Sequence, residues 1–406
     1  MPERRSSPLE SLPPEVLHEV LSYVPTEQFL QLRLLSHCWS RLVLQASFWR
    51  RRRLHVPPGS DKPPYPGILR LAPALGTLVM QMMPASKPLP GLLCLKALAR
   101  GRCQIRFLDL WFTASTTSNR LLSRVLRNRR SSLQELHIFI SGCASTSNLL
   151  TALEAVDALE ALHTLKLQVM SRKALDFTFK NLRLKSLQVL DYEDHAEKMA
   201  RDLLRLGRDT LLEFGLESTG NLAALKPEIA QCSKIAALAV DCCEDLAEVV
   251  PLLPALERVT IKTTSTAAVA WLERARRDGF SGKVHMEVTT YDDRSFQSLV
   301  DMGPGLRGVH SVAVSPSVWA LFLERARLAV PPALVAECLQ LLPAAQSVVL
   351  DVDTDWHGVL LAWSPTLVPS LRSLSIFVPD PPNSPARLQL AHKLRTLRPG
   401  LVVKFL

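Results

Sequence analysis

A short apolar pattern recurs down most of this chain: an apolar residue, two variable positions, a second apolar residue, one variable position and a third. It reads Leu75-x-x-Leu78-x-Met80, Ile105-x-x-Leu108-x-Leu110, Leu133-x-x-Leu136-x-Ile138, Leu162-x-x-Leu165-x-Leu167 and Leu187-x-x-Leu190-x-Tyr192. It continues as Leu211-x-x-Phe214-x-Leu216, Ile235-x-x-Leu238-x-Val240 and Leu256-x-x-Val259-x-Ile261. Weaker copies are Val284-x-Met286, Val309-x-x-Val312-x-Val314 and Ala345-x-x-Val348-x-Leu350, before Leu371-x-x-Leu374-x-Ile376 and a last strand ending Leu401-x-Val403-x-Phe405. Successive middle residues lie 30, 28, 29, 25, 24, 24, 21, 25, 28, 36 and 26 positions apart. The last two apolar positions alternate as on a strand with one buried face. Between them the sequence predicts amphipathic helices, such as 119–130, 148–162, 196–207, 267–278 and 332–342. One strand and one helix cannot bury their apolar faces alone, but a stack of such units can.

The spacing is similar to that of leucine-rich repeats, most of whose periods lie at about 20–29 residues. It predicts an α/β solenoid over residues 71–406, about twelve repeats long, with a curved parallel sheet inside and helices outside. Parallel pairing follows because each strand returns in the same direction after its helix. An ordinary α/β domain would not need such even spacing.

The chain has 406 residues, 47% of them hydrophobic. That is too long for one ordinary core, so two domains or an elongated array are expected. Mean hydropathy is +0.12, yet no apolar run approaches the roughly 18 residues of a membrane-spanning helix. The N-terminus Met1-Pro-Glu-Arg-Arg-Ser-Ser offers no apolar stretch for a signal peptide. A cytoplasmic or nuclear protein with no membrane partner is expected. The eight cysteines form no CxxC pair, which predicts free buried thiols rather than disulfides or a zinc site. The net charge of +10 is uneven: residues 1–130 hold 20 Lys/Arg and 7 Asp/Glu, the remainder 28 and 31. Any case for nucleic-acid binding therefore rests on the first third.

Residues 9–53 read as helical. Leu17, Val20, Leu21 and Val24 form one stripe of a helix whose first turn holds Pro13 and Pro14. Thr26 is placed to cap a second helix carrying Phe29, Leu30, Leu32 and Leu34, and Ser36 a third carrying Trp39, Leu42 and Val43. So small a block leaves an apolar face in need of a partner. Residues 57–67 are rich in Pro and Gly, which predicts a linker without helix or sheet. The expected boundaries are 1–54 for the helical domain, 55–70 for the linker and 71–406 for the repeats.

The run Leu12-Pro13-Pro14-Glu15-Val16-Leu17, with Val20-Leu21-Ser22-Tyr23-Val24, Leu30-x-Leu32-Arg33-x-Leu35-Ser36-x-x-Trp39 and Phe48-Trp49-Arg50, resembles an F-box from end to end. It departs at Pro25–Phe29, where the family often has an acidic residue ahead of a Leu. The resemblance implies docking on the Skp adaptor, which bridges to a cullin–RING scaffold, through Leu12, Pro13, Val16, Val20, Leu21, Leu32, Leu35 and Trp39. An F-box ahead of leucine-rich repeats implies a substrate-recognition subunit of a ubiquitin ligase, not itself an enzyme. The alternative is a nucleic-acid-binding or non-ligase scaffold protein using the basic N-terminal third, with the arginine run 50–53 as its strongest feature.

Signals that look catalytic or metal-binding lack their context. Gly303–Gly308 spells GxGxxG but precedes a strand instead of following one. Asp351-Val-Asp353-Thr-Asp355 begins like a calcium loop, but Trp356 and Ala362 stand where that loop needs Gly and Glu. His195-Ala196-Glu197 has no PCxxC after it, and His18-Glu19 has no second His on its helix. No cofactor, metal or catalytic residue is expected.

Residues alternating with the buried strand positions should form the recognition face. The substrate-binding set predicted there is Trp111 and Phe139 as exposed aromatic anchors, with Asp191, Glu193, Glu217, Asp241, Glu287 and Asp351 as an acidic surface. Asp353 extends it, and Lys262 is the one cation expected among them. Such a face would select a basic segment of an unidentified protein substrate.

Overall fold

At every copy of the repeated pattern but the fifth, the last two apolar residues lie on a strand. The computed structural model describes residues 12–57, 63–82, 91–113, 115–141, 146–169, 177–190, 195–217, 222–241, 245–262, 266–290, 293–316, 329–363, 368–381 and 384–406. The chain divides into two compact units, Met1–Leu211 and Leu212–Leu406.

The first unit opens with the helices α1 (Pro14–Ser22), α2 (Thr26–Phe29), α3 (His37–Val43) and α4 (Ala46–Trp49). The strands β1 (Arg53–Val56), β2 (Ala74–Met82), β3 (Gln104–Thr113), β4 (Glu135–Ser141), β5 (Thr164–Val169) and β6 (Ser186–Leu190) follow. They pair in chain order and every pair is parallel. Leu78, Leu108, Leu136, Leu165 and Leu187 lie opposite one another along the sheet and are all buried. Each such side chain stabilises by about 1.5–3 kcal/mol through the apolar surface it withdraws from water.

Helices α5 (Tyr65–Leu71), α6 (Leu92–Arg100), α7 (Thr116–Arg127) and α8 (Thr146–Asp157) connect these strands, and each packs on the next. Ser115 begins α7 with a capping box: its hydroxyl accepts from the Ser118 backbone N–H at 3.1 Å, and the Ser118 hydroxyl accepts from the Ser115 N–H at 2.8 Å. Arg129, just beyond α7, is buried and joins two repeats. Its guanidinium donates to Val125 O at 3.0 Å and to Leu98 O at 2.7 Å. Burial pulls its pKa down to about 10, so those carbonyls are what keep the charge tolerable there.

The second unit holds β7 (Glu213–Glu217), β8 (Ala237–Val240), β9 (Arg258–Ile261), β10 (Lys283–Thr290), β11 (Ser311–Pro316), β12 (Ser347–Leu350), β13 (Ser373–Ile376) and β14 (Val402–Phe405). They too pair in chain order and in parallel. Helix 195–207 of the first unit, and helices 266–277 and 332–340 of the second, stand within a few residues of where the pattern predicts them.

Three expectations are corrected. The segment 55–70 is not simply a linker: β1 runs to Val56 and α5 begins at Tyr65. Pro66 sits in the first turn of α5, where a missing N–H costs nothing. At the fifth repeat, Leu187 opposes Leu165 and Val189 opposes Leu167. The working pattern is therefore Leu184-x-x-Leu187-x-Val189, and Leu190 points to the other face. Lastly, not all thiols are buried: Cys94, Cys103, Cys232 and Cys338 are, but Cys38 is exposed.

Candidate functional site

The N-terminal block builds its core from one side of each helix. In α1, Leu17 and Leu21 are buried, while Val16 and Val20 are 45% and 43% exposed. Phe29 meets Trp49 edge to face at 5.1 Å, and the Trp49 indole N–H donates to Val43 O at 2.5 Å. The Ser36 hydroxyl caps α3 by accepting from the Trp39 backbone N–H at 3.2 Å, as its position predicts. Thr26 is not a cap. It lies inside α2, and its hydroxyl donates to Arg53 O at 2.9 Å, tying that helix to β1.

Arg52 closes the block. Its guanidinium donates to Leu21 O at 2.6 Å, Val24 O at 2.7 Å and Phe48 O at 3.1 Å, and it lies 3.7 Å over the Phe29 ring. One member of the arginine run is thus a structural clip, with its pKa lowered by burial. Arg50 ends α4 and Arg53 begins β1.

Of the eight residues expected to face the adaptor, Pro13, Val16, Val20 and Leu35 are exposed, and Leu12 and Leu32 are half-buried. Leu21 and Trp39 are corrected: both are buried within the block and hold its helices together. Leu34, expected on the second helix, is 79% exposed beside Leu35 at 67%. Residues 30–34 form a 3-10 helix, whose three residues per turn rotate Leu34 away from the core. Tyr23 and Leu44 are also exposed, and α1, the 3-10 turn and the segment after α3 thus each present apolar side chains to solvent.

On the sheet of the first unit, pairing aligns the residues opposite the core into rows. One runs His55, Val79, Asp109, His137, Lys166, Gln188; the next runs Gln81, Trp111, Phe139, Gln168, Leu190. The Trp111 indole N–H donates to an Asp109 carboxylate oxygen at 2.7 Å. Burial raises the Asp109 pKa, opposed by that hydrogen bond and by Lys166, Arg53 and His55. His137 meets Phe107 edge to face at 4.8 Å. Burial, helped by Lys166, pulls its pKa down to about 4, so it is neutral at physiological pH. Phe139 is a correction: it is 3% exposed, covered by Trp111, and only Trp111 of the pair reaches solvent. Asp191 and Glu193 lie outside the described residues, and the corrected register puts Gln188 and Leu190 on this face instead.

On the face of the second unit, cations stand among the acids. Arg258 pairs with Glu213 at 3.0 Å and Lys262 with Glu287 at 3.2 Å. Arg258 and Lys283 share the face with Lys262, so the expectation of one lone cation is overturned. Asp241 and Asp351 are half-buried, Asp353 is exposed, and the Glu217 side chain lies outside the described set.

The look-alike motifs have structural uses. Gly303–Gly308 is a 3-10 turn leading into β11, and the Asp355 carboxylate caps helix 356–362 by accepting from the His357 backbone N–H at 3.0 Å. The His18 ring stacks on Phe48 at 3.8 Å, and the His195 side chain lies outside the described set. Among the described residues, no group of His, Cys, Asp or Glu could hold a metal ion, and no helix is long and apolar enough to cross a membrane.

Compared with known families, residues 9–51 match the F-box domain. No curated protein matches the chain. The match spans α1 to α4, the helices whose apolar side chains stand exposed.

Proposed function

We propose that this chain is the substrate-recognition subunit of a Skp–cullin–F-box ubiquitin ligase and has no catalytic role of its own. Its F-box docks the Skp adaptor, and the repeats, read as a leucine-rich-repeat solenoid, bind a protein substrate. The ligase then transfers ubiquitin because the substrate is held close to it.

The observation that carries the reading is the exposed apolar set Val16, Val20, Leu34 and Leu35 on a block whose core is already filled by Phe29, Trp39 and Trp49. Surplus apolar surface on so small a domain marks an interface. The block matches the F-box domain, and F-box domains bind the Skp adaptor. Pro13, Val16, Val20 and Leu35, with half-buried Leu12 and Leu32, are the proposed contacts. For the repeats, the support is a parallel strand recurring at near-even intervals with a buried apolar pair in each. Trp111, backed by Phe139, is the proposed anchor for substrate.

Affinity purification of the full chain followed by mass spectrometry tests the reading. Adaptor and cullin should be recovered together in comparable amounts. Recovery of RNA-dependent proteins without the adaptor would reject it in favour of a nucleic-acid role for the basic N-terminal third.

A further inference from the structure

An open cavity of about 250 Å³ lies between the 3-10 turn Leu30–Leu34 and α5. The F-box match ends at residue 51, so α5 lies outside it. Leu30 and Ile68, both buried, line the cavity together with Leu34 and Leu71, of which Leu71 is 41% exposed. Gly67 also lines it, and a Cβ placed there would meet nothing within 4 Å. Glu27, Gln31 and Arg33 border the groove, but most of its lining is apolar, and apolar surface left facing water is unfavourable.

Leu34 belongs to this groove and to the apolar face of the F-box alike, and Leu35 beside it faces solvent. A partner lying on that face meets the groove without a break. We propose that the Skp adaptor inserts an apolar side chain into this groove, so that its docking surface extends beyond the F-box onto α5. This rests on the reading that the F-box docks the adaptor; α5 adds a contact that no F-box motif supplies. Because α5 packs on α6, the adaptor would grip the helical block and the first helices of the repeats at once. Substrate held by the repeats would then be positioned with less freedom relative to the ligase.

Isothermal titration of the purified Skp adaptor into the full chain tests this with Gly67→Phe, which fills the groove, and Leu71→Arg, which places a charge at its rim. Neither position is part of a filled core, and circular dichroism serves as the folding control. Each variant should weaken adaptor binding at least tenfold, about 1.4 kcal/mol. In the unaltered chain, amides 67–71 should gain protection from hydrogen exchange when the adaptor is added. If both variants bind like the parent while Leu12→Ala with Pro13→Ala does not, the F-box docks the adaptor but the extension is wrong. If the parent itself fails to bind, both readings fall together. If the variants alter only self-association in light scattering, a second copy occupies the groove and the proposal is overturned.

Discussion

The Trp111 indole stacks on the Phe139 ring, centroids 5.0 Å apart and planes 29° apart, and the two residues are direct partners across the parallel pair β3–β4. Stacking of this kind contributes about 0.5–1.5 kcal/mol beyond the area it buries. It also divides the labour: Phe139 is buried in the fold, and Trp111, which reaches solvent, is the proposed contact for a partner. Trp111→Ala should therefore cost about 1 kcal/mol in urea unfolding and strip substrate from affinity-purified complexes. Phe139→Ala should cost about 3 kcal/mol. Equal losses of stability, or full substrate recovery with Trp111→Ala, would count against this division.

Leu21 and Val20 are neighbours on α1 with opposite roles, one buried and one exposed. Leu21→Ala should destabilise the helical block by about 2–3 kcal/mol, seen as faster amide exchange across residues 14–49. Val20→Ala should leave that exchange unchanged and weaken adaptor binding.

Arg52 satisfies three carbonyls and covers the Phe29 ring. Arg52→Ala should cost about 2 kcal/mol, since the charged hydrogen bonds are lost and part of the region remains in water. Arg52→Lys should recover little, because a single ammonium cannot span the carbonyls that the planar fork reaches. Thermal unfolding of the three proteins checks the order.

His137 sets a pH dependence. Its folded pKa of about 4 lies below the ordinary 6.5, so the folded chain holds it neutral while the unfolded chain protonates. Its contribution is thus fully present above pH 6.5 and is lost as pH falls from there toward 4. With the ring partly in water, the loss should be about 1–2 kcal/mol. Lys166 and Asp109 flank it in the same row and Phe107 covers one side, so His137→Gln isolates the ring's share. Denaturant unfolding at pH 7 and pH 4.5 should show a smaller acid loss in the variant.

The strands, their parallel order and most helix positions are legible in the spacing, because burial of alternate residues is the period-two signal itself. β1 escapes because Arg53-Leu54-His55-Val56 is too short to show a repeat, and its strand is defined only by pairing with β2. At the fifth repeat, Leu184-x-x-Leu187-x-Val189 and Leu187-x-x-Leu190-x-Tyr192 both satisfy the pattern, and only opposition to Leu165 selects the first. The same pattern cannot tell a solvent-facing position from one roofed by a neighbour, which is how Phe139 comes to be buried. On the face of the second unit, Arg258 and Lys283 lie one pair of positions before the residues that the pattern brings forward, so these two cations are found there only through the register. The F-box core followed from helical stripes, but the 3-10 turn at Leu30–Leu34 moved Leu34 onto the surface where an α-helix would have hidden it.

The most direct measurement of the central claim is the affinity of the purified Skp adaptor for the full chain and for a variant carrying Val16→Glu and Leu35→Glu. Both side chains are exposed and touch no filled core, so the variant should fold with an unchanged circular dichroism spectrum. The parent should bind tightly and the variant at least a hundredfold more weakly, as buried unpaired charge at an apolar interface demands. Equal affinity in the two, with both folded, would contradict adaptor docking through this face.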